Sequence, residues 1–270
     1  MSIQKRRERE RAERERLIVT AARELAESEG WDAVTTRRLA AEIEYSQPVL
    51  YSHFKGKDAI MAAVAVEGFA DLAAELRQAR DNARHTHDAA GRGRDDAGQG
   101  GDGVGQARDG ADQARDDAAQ ARDDAAQGRD GAGQVRDGVG QRRDGAGRVR
   151  GGAGQRGGEA RDRAGWVGEV AAVGAAYVGF AERRPALYDA MFTHSVDLPF
   201  ASPEAPAALH AGFGELREAL RPLARDDDLD LLTETFWSAL HGLVTLTRAG
   251  RLPPEHRDAR LALLVRRFSG

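Results

Sequence analysis

The fold of this chain is decided by residues 46–57, whose sequence is SQPVLYSHFKGK. Ser46 can cap a helix, and Pro48 then falls in the first turn, where the amide hydrogen that proline lacks would have no partner anyway. Leu50 and Phe54 are four residues apart and therefore share the inward face. The stretch predicts a short helix that ends at Gly56 and exposes mostly hydrogen-bonding side chains.

The residues on either side complete a helix-turn-helix pattern. Thr35 or Thr36 can cap a preceding helix that runs to Ile43. Residues 44–46 form the turn, and a long helix with regularly spaced apolar residues begins near Asp58. In DNA-binding proteins with this motif, the second helix enters the major groove, so residues 46–57 are the predicted recognition element.

Further toward the N-terminus, the sequence predicts one long helix. Residues 5–16 alternate Arg and Glu at spacings that suit an exposed helix face. From Leu17 onward apolar residues recur at helical spacing as far as Gly30, a natural C-terminal stop. The basic residues 5–9 fit either a solvated helix start or an arm that reaches DNA.

After residue 79 the composition changes to a low-complexity heptad repeat of Gln, Arg, Asp, Gly and Ala. Ala or Val recurs at every seventh position from 97 to 160, which is formally a coiled-coil pattern. Twenty of the 32 Gly lie between residues 90 and 160, and each costs about 0.8–1 kcal/mol relative to Ala inside a helix. The segment fits either a solvated linker with transient helix or a persistent helix or helical hairpin. We therefore predict three parts: 1–78, 79–163 and 164–270.

The C-terminal part predicts further helices, and no segment alternates with a period of two over the length of a strand. The expected helices are Trp166 to Arg184, Ala186 to Phe192, Ala207 to Leu223, Leu229 to Ala249, and His256 to Phe268, with a loop at 195–206. The predicted fold class is all-α: an N-terminal three-helix DNA-binding domain and a C-terminal helical bundle, separated by the repeat.

Composition excludes several classes of site. The 270 residues include no Cys, so disulfides and thiolate chemistry are absent. The seven His form no His-Glu-x-x-His pair, and no nucleophile elbow or Walker loop is present. The acidic residues Asp226, Asp228 and Asp230 lack the Gly and Glu of a calcium loop. We predict a protein that is not an enzyme and uses no metal or cofactor.

Charge and hydropathy indicate where the chain works. The net charge of −4 gives no overall attraction to nucleic acid, so any such contact depends on a local surface. No apolar run approaches the length of a membrane span, and the charged N-terminus does not resemble a signal peptide. We therefore expect a cytoplasmic protein without a membrane partner.

Over residues 17–64 the chain resembles the tetracycline-repressor (TetR) family of transcriptional regulators, most specifically in Thr-Thr-x-x-Leu-Ala and in Leu-Tyr-x-His-Phe-x-x-Lys. The resemblance implies phosphate contacts from Thr36, Tyr51, His53 and Lys57, and base contacts from Gln47, Pro48 and Val49, with Ser46 opening the same helix. Such residues suit those roles, because hydroxyl, imidazole and ammonium groups bind phosphate, while Gln pairs with adenine and apolar atoms touch thymine methyls. Glu44 departs from the family, which usually has Gly in the turn.

The C-terminal part resembles the regulatory domain of a TetR subgroup named for its Trp, His and Gly (WHG), here Trp237, His241 and Gly242. The resemblance and the placement of aromatic residues suggest an apolar ligand site lined by Tyr177, Met191, Phe192, Phe213, Trp237 and His241. A packed Trp–His pair in a helical core is the other interpretation. The resemblance also assigns the last two long helices to pairing between two copies.

The sequence thus predicts a homodimeric regulator, a repressor that binds a palindromic operator in double-stranded DNA and is released by a small-molecule effector. The alternatives are a scaffolding protein built on the heptad repeat and, more weakly, a ligand-binding protein or enzyme that uses the C-terminal helices.

Overall fold

The computed structural model describes residues 3–99, 152–194, 198–199 and 202–269, and it describes side chains in these ranges outside 91–161. The prediction of an all-α fold is confirmed, since every secondary-structure element in these ranges is a helix. The helices are α1 Ile3–Glu29, α2 Thr36–Glu42, α3 Gln47–His53, α4 Lys57–Gln99, α5 Gly152–Arg183, α6 Pro185–Phe192, α7 Ala207–Leu220, α8 Leu229–Arg248 and α9 Arg257–Phe268.

Helix α1 is exposed in its first half and contributes buried side chains in its second half. Its first fifteen residues contribute no buried side chain, whereas an apolar stripe from Ile18 to Ala26 enters the core. The helix ends where Gly30 takes a positive φ of 86°, which glycine adopts without steric cost. A short 3-10 turn, Trp31–Ala33, then leads the chain toward α2.

The helix-turn-helix forms as the sequence predicts, with two local differences. Thr35 caps α2 by accepting a hydrogen bond from the Arg38 amide at 3.2 Å. Ser46 lies at the corresponding position of α3, but its side chain makes no capping bond. Helix α3 ends at His53 rather than at Gly56, because Phe54 is already extended with a φ of −131°.

The chain divides into two compact units, residues 1–84 with 162–270, and residues 85–161. The first unit joins the helix-turn-helix and the C-terminal helices, which the sequence analysis placed in separate domains. Helix α4 continues to Gln99, past the predicted boundary at residue 78. The repeat between residues 100 and 151 lies outside the described residues.

The core of the first unit is continuous from α1 to α9. Its largest fully buried side chains include Ile18, Leu50, Ile60, Tyr177, Tyr188, Phe180, Phe236 and Leu220. The segment Asp162–Arg183 of α5 is long and apolar enough to cross a membrane, but 56% of its most apolar window is buried inside the protein. This segment is therefore accounted for as a core helix.

The end of the chain follows the predicted helices closely. Helix α7 stops at Leu220, where a 3-10 turn replaces the expected last turn. Asp228 caps α8 by accepting from the amides of Asp230 at 2.9 Å and Leu231 at 3.0 Å. Beyond α8, Gly250 has a positive φ of 67° and turns the chain toward α9.

Candidate nucleic-acid interface and aromatic cluster

Helix α3 presents most of the predicted DNA-binding side chains to solvent. Ser46, Gln47, Pro48 and Tyr51 are exposed, while Thr36 and Val49 are partly exposed. Tyr51 leaves 55% of its surface accessible, which is unusual for a large aromatic residue that has a core nearby. The opposite side of α3 is anchored by Leu50, which is 1% exposed.

Two of these side chains already lie together. The hydroxyl oxygens of Thr36 and Tyr51 are 3.3 Å apart, which joins the start of α2 to the middle of α3. Hydroxyl groups at such positions can donate hydrogen bonds to phosphate oxygens. The arrangement therefore offers a paired hydroxyl site at the edge of the exposed α3 face.

The other two predicted phosphate ligands have partners inside the protein. The side chain of His53 is 6% exposed, and its Nδ1 lies 3.2 Å from Oε1 of Glu15. Lys57 donates from Nζ to the carbonyl oxygen of Trp31 at 2.5 Å. The Arg11 guanidinium, and to a smaller extent His53, lower the pKa of Glu15. His53 and Lys57 thus tie the end of α3 and the start of α4 to α1 and to the turn after it.

The turn before α3 accommodates Glu44 in the left-handed region, with a φ of 55°. The turn closes through a hydrogen bond from the Tyr45 amide to the Ala40 carbonyl at 2.9 Å. The exposed carboxylate of Glu44 adds negative charge close to α3. The side chain is therefore compatible with the turn, but it costs backbone strain.

A cluster of aromatic side chains, which includes several of the predicted ligand residues, lies among α5, α6 and α8. Phe192 is at its centre, with ring centroids 4.7 Å from Tyr188, 5.4 Å from His241 and 6.1 Å from Trp237. It also packs edge-on against Phe69 of α4 at 5.2 Å. We call Tyr177, Tyr188, Phe192, Trp237 and His241 the aromatic cluster.

A chain of hydrogen bonds connects the side chains of this cluster. The indole of Trp237 can only donate, and its Nε1 lies 3.1 Å from the Tyr177 hydroxyl. That hydroxyl is 2.9 Å from the hydroxyl of Tyr188, which in turn is 2.7 Å from Nδ1 of His241. If each hydroxyl donates onward, Nδ1 of His241 is the final acceptor and the imidazole carries its hydrogen on Nε2.

Burial favours the uncharged forms of the titratable side chains in the cluster. It raises the pKa of Tyr177 to about 12 and raises the pKa of Tyr188 as well. It lowers the pKa of His241, because the imidazolium would lose hydration. With each hydroxyl donating toward His241, Nε2 of this partly buried imidazole is the donor that these side chains leave for another molecule. The cluster is suited to a neutral molecule with apolar faces and a hydrogen-bond acceptor.

The structure brings most of the predicted ligand residues together. Tyr177, Phe192, Trp237 and His241 share ring contacts, and the buried Met191 lies beside them on α6. Phe213 is partly buried on α7, and none of the ring pairs within the described residues includes it. Tyr188 and Phe69 belong to the same set but were not predicted. Tyr188 could have been found, since it lies one helical turn before Phe192.

Two cavities in the described part of the chain lie away from the cluster. One, of about 30 Å³, is bordered by α5, α8 and α9. The other is an open groove of about 470 Å³ between the loop before α8 and the end of α9. None of the six predicted ligand residues lines either cavity. Within the described residues no group of three or more His, Cys, Asp or Glu could hold a metal ion.

Two family models match this chain, one in each of the two regions described above. A model described as "Bacterial regulatory proteins, tetR family" matches residues 18–64. A model described as "Tetracyclin repressor-like, C-terminal domain" matches residues 170–268. The two matches cover the helix-turn-helix and the C-terminal helices in order and leave out the repeat.

Individual relatives match over shorter spans. Tetracycline repressor protein class D from Escherichia coli and class H from Photobacterium damsela subsp. piscicida are each 46% identical over 50 residues, which is 18% of this chain and 23% of theirs. The chain thus matches less than a quarter of the length of these relatives. A solved structure of a protein of unknown function from Rhodococcus sp. RHA1 aligns with a TM-score of 0.55 and 17% identity over 94% of this chain and 93% of that one, which supports the fold.

Proposed function

Because this chain belongs to the tetR family of bacterial regulatory proteins, we propose that it is a sequence-specific DNA-binding transcriptional regulator, specifically a repressor released by a small-molecule ligand. The exposed face of α3 is the observation that carries the proposal. A short helix held by one buried Leu exposes Gln47, Pro48 and Tyr51 directly after a tight turn. That arrangement suits insertion into a major groove.

The proposed contacts divide into two kinds. Gln47, Pro48 and Val49 face base edges, where Gln pairs with adenine and the apolar atoms touch thymine methyls. Thr36 and Tyr51 hold phosphates through their adjacent hydroxyls, with Ser46 at the amino end of the same helix. These phosphate contacts fix the position of the helix without reading sequence.

His53 and Lys57 complete the proposed phosphate set in a different way. Each is engaged with another part of residues 3–57, which we call the DNA-binding head: His53 with Glu15, and Lys57 with the Trp31 carbonyl. We propose that Lys57 reaches phosphate with its remaining donor hydrogens, since an ammonium group has three. His53 can do so through Nε2 while Nδ1 stays with Glu15.

We propose that two copies bind a palindromic operator together. The two helices proposed for pairing expose large apolar side chains. These are Leu231 and Leu246 of α8 and Leu263 of α9, which are 63%, 41% and 45% exposed. A twofold dimer would place two α3 helices in half-sites about 34–36 Å apart, or a multiple of that distance. The cytoplasm is the compartment in which such a regulator meets its DNA.

The proposed effector binds at the aromatic cluster. The rings there contact one another closely, so a ligand must displace Phe192 or Trp237 rather than enter an open cavity. A ligand can act only by binding the two states of the regulator with different affinity. Because the cluster is uncharged and leaves a single imidazole donor, the proposed effector is a neutral, largely apolar molecule with an acceptor group.

The DNA-binding proposal is tested with duplexes selected from a random pool. Tyr51→Phe should weaken binding to all selected sequences without changing the salt dependence of the dissociation constant, because the lost hydroxyl carries no charge, whereas Gln47→Ala should change which sequences are selected. Tyr45→Phe is the matched control, because Tyr45 is less exposed than Tyr51 and lies in the turn. If the wild-type chain shows no salt-dependent duplex binding at low ionic strength, the proposal is wrong.

A further inference from the structure

Helix α6 is capped by a side chain from another helix. The first amides of a helix have no partner within it, and Arg184 at the N-cap provides no side-chain bond. Instead, Glu27 of α1 accepts from the Leu187 amide at 2.9 Å and from the Ala186 amide at 3.2 Å. The negative carboxylate also complements the positive amino end of the helix dipole. Glu27 therefore binds the start of α6 to α1 with both of its oxygens.

Trp31 makes a second connection at the same end of α6. Its indole Nε1 donates to the Ala186 carbonyl at 2.7 Å in a fully buried contact. The Trp31 carbonyl in turn accepts from Lys57, the first residue of α4. Trp31 thus joins α6 directly to the start of the helix that follows the recognition helix.

The opposite end of α6 lies in the aromatic cluster. Tyr188 and Phe192 belong to it, and the ring of Phe192 touches those of Tyr188, Trp237 and His241. Helix α6 has only eight residues, so it is about 12 Å long. Five of those residues are buried, which leaves little freedom to absorb a shift at one end.

We propose that α6 transmits the state of the aromatic cluster to the DNA-binding head through Glu27 and Trp31, which act as positioning residues. This inference rests on the proposed function. When a molecule displaces Phe192, α6 moves as a unit and carries α1 and the start of α4 with it. Helix α3 follows, because its last residue, His53, is bonded to Glu15 of α1.

A direct route through α4 is the competing path. Phe192 also packs on Phe69, and α6 lies so close to α4 that a Cβ added at Gly68 would be 2.7 Å from the Sδ of Met191. Either path could carry a displacement of Phe192 to the head. The experiment must therefore remove the Glu27 connection while leaving the α4 contact intact.

A double-mutant cycle on DNA affinity separates the two paths. Phe192→Ala stands in for displacement of the ring, so no effector is needed, and Glu27→Gln weakens the cap while keeping the side-chain volume. Glu29→Gln is the matched control, since Glu29 lies on the same helix but pairs with the exposed Arg38. Dissociation constants for a selected duplex are measured by fluorescence anisotropy in each single and double variant.

The inference expects Phe192→Ala to change the dissociation constant by at least about fivefold in the wild-type and Glu29→Gln backgrounds, and by less than about twofold with Glu27→Gln. Trp31→Phe, which keeps a ring but loses the indole donor, should also reduce the effect. Phe192→Leu replaces the alanine variant if circular dichroism shows that the latter is unfolded.

Two results overturn the inference while duplex binding itself persists. An undiminished effect of the Phe192 substitution with Glu27→Gln would assign transmission to the α4 contact. The same dissociation constant with and without the Phe192 substitution in every background would show that the cluster is not linked to the head. Absence of salt-dependent duplex binding by the wild-type chain would instead overturn the proposed function, and this inference with it.

Discussion

Among the residues that the structure describes, two that are not glycines have a left-handed backbone, Glu44 with a φ of 55° and Arg225 with a φ of 48°. A side chain in this region costs about 1–2 kcal/mol, because Cβ approaches the carbonyl oxygen. Glu44 bears this cost in the turn of the helix-turn-helix, and its carboxylate is exposed near the helix proposed to contact DNA. Arg225 bears it in the loop that precedes α8.

Replacing Glu44 by Gly should therefore have two effects. We expect Glu44→Gly to raise the free energy of unfolding by about 0.5–1 kcal/mol, after the entropy that glycine loses on folding is subtracted. We also expect tighter duplex binding at low salt, because a negative charge is removed. Thermal unfolding and anisotropy titrations measure both. Arg225→Gly should give the stability gain alone, and tighter binding from that variant as well would refute the electrostatic explanation.

His241 makes the cluster sensitive to pH. Burial lowers its pKa in the folded state, so the unfolded chain binds the proton more tightly. Stability should consequently decrease as the pH falls below the ordinary value of about 6.5, with a slope of at most about 1.4 kcal/mol per pH unit. His241→Gln should reduce the change in the urea unfolding midpoint between pH 7 and pH 5. His256→Gln removes an exposed imidazole and should leave the dependence unchanged, and an equal reduction there would argue against burial as its source.

At the scale of elements, α4 is bound to its neighbours by arginines. Arg80 Nη1 lies 2.7 Å from Oε2 of Glu215 on α7, and Arg77 Nε lies 2.7 Å from Oε1 of the same residue. Further along, Arg84 forms two hydrogen bonds to Glu169 on α5, at 3.1 and 2.9 Å. The carboxylates are nearly buried, so each pair fixes the position of α4 against the C-terminal helices.

Breaking the Glu215 pair should be costly. Arg80 and Glu215 are only 13% and 10% exposed, so Glu215→Gln removes the nearest counter-charge of a poorly hydrated guanidinium and leaves it only the more distant Asp81, at 3.7 Å. We expect a loss of about 3 kcal/mol in the free energy of unfolding, since the removal of one partner from a buried pair is strongly destabilising. Chemical denaturation measures the change.

Glu218→Gln provides the comparison on the same helix. It removes the partner of Arg221 in a pair that is about half exposed on both sides, and exposed pairs contribute at most about 1 kcal/mol. Equal losses from the two substitutions would show that burial does not set the strength of the α4–α7 pair.

At the scale of the whole molecule, we expect the repeat to be separable from the rest. Residues 1–84 and 162–270 form one compact unit that contains both proposed sites. Replacing residues 90–160 by a short Gly-Ser linker should therefore preserve folding, dimerisation and duplex binding, because a shorter closed loop costs less entropy. Sedimentation, thermal unfolding and anisotropy test this expectation.

The same deletion decides between the regulator and the scaffolding alternative. A scaffolding protein built on the repeat would lose its assembly with residues 90–160, whereas the regulator keeps it. Truncation after His256, which removes α9 and its exposed Leu263, should instead abolish dimerisation. If the deletion abolishes dimerisation and the truncation preserves it, the proposal that the C-terminal helices rather than the repeat pair the two copies is wrong.

The sequence alone determined the helices and the family resemblance. Periodicity and capping residues are local properties, so α2, α3, α6 and α8 begin and end within a few residues of their predicted limits. The exposure of most of the proposed DNA-binding residues was also predictable, because that of Gln47 and Tyr51 follows from their position on an amphipathic helix. The WHG subgroup remains a prediction, as do the individual contacts with DNA and effector.

Tertiary structure decided what depends on contacts between distant residues. No local pattern indicates that Glu27 would cap a helix 159 residues away, that Tyr188 would link Tyr177 to His241, or that His53 would turn toward Glu15. Such partners are chosen by how helices pack, and packing depends on side-chain shape across the whole core. The sequence thus identified α3 as the helix proposed to contact DNA, while the fold determined what holds that helix in position.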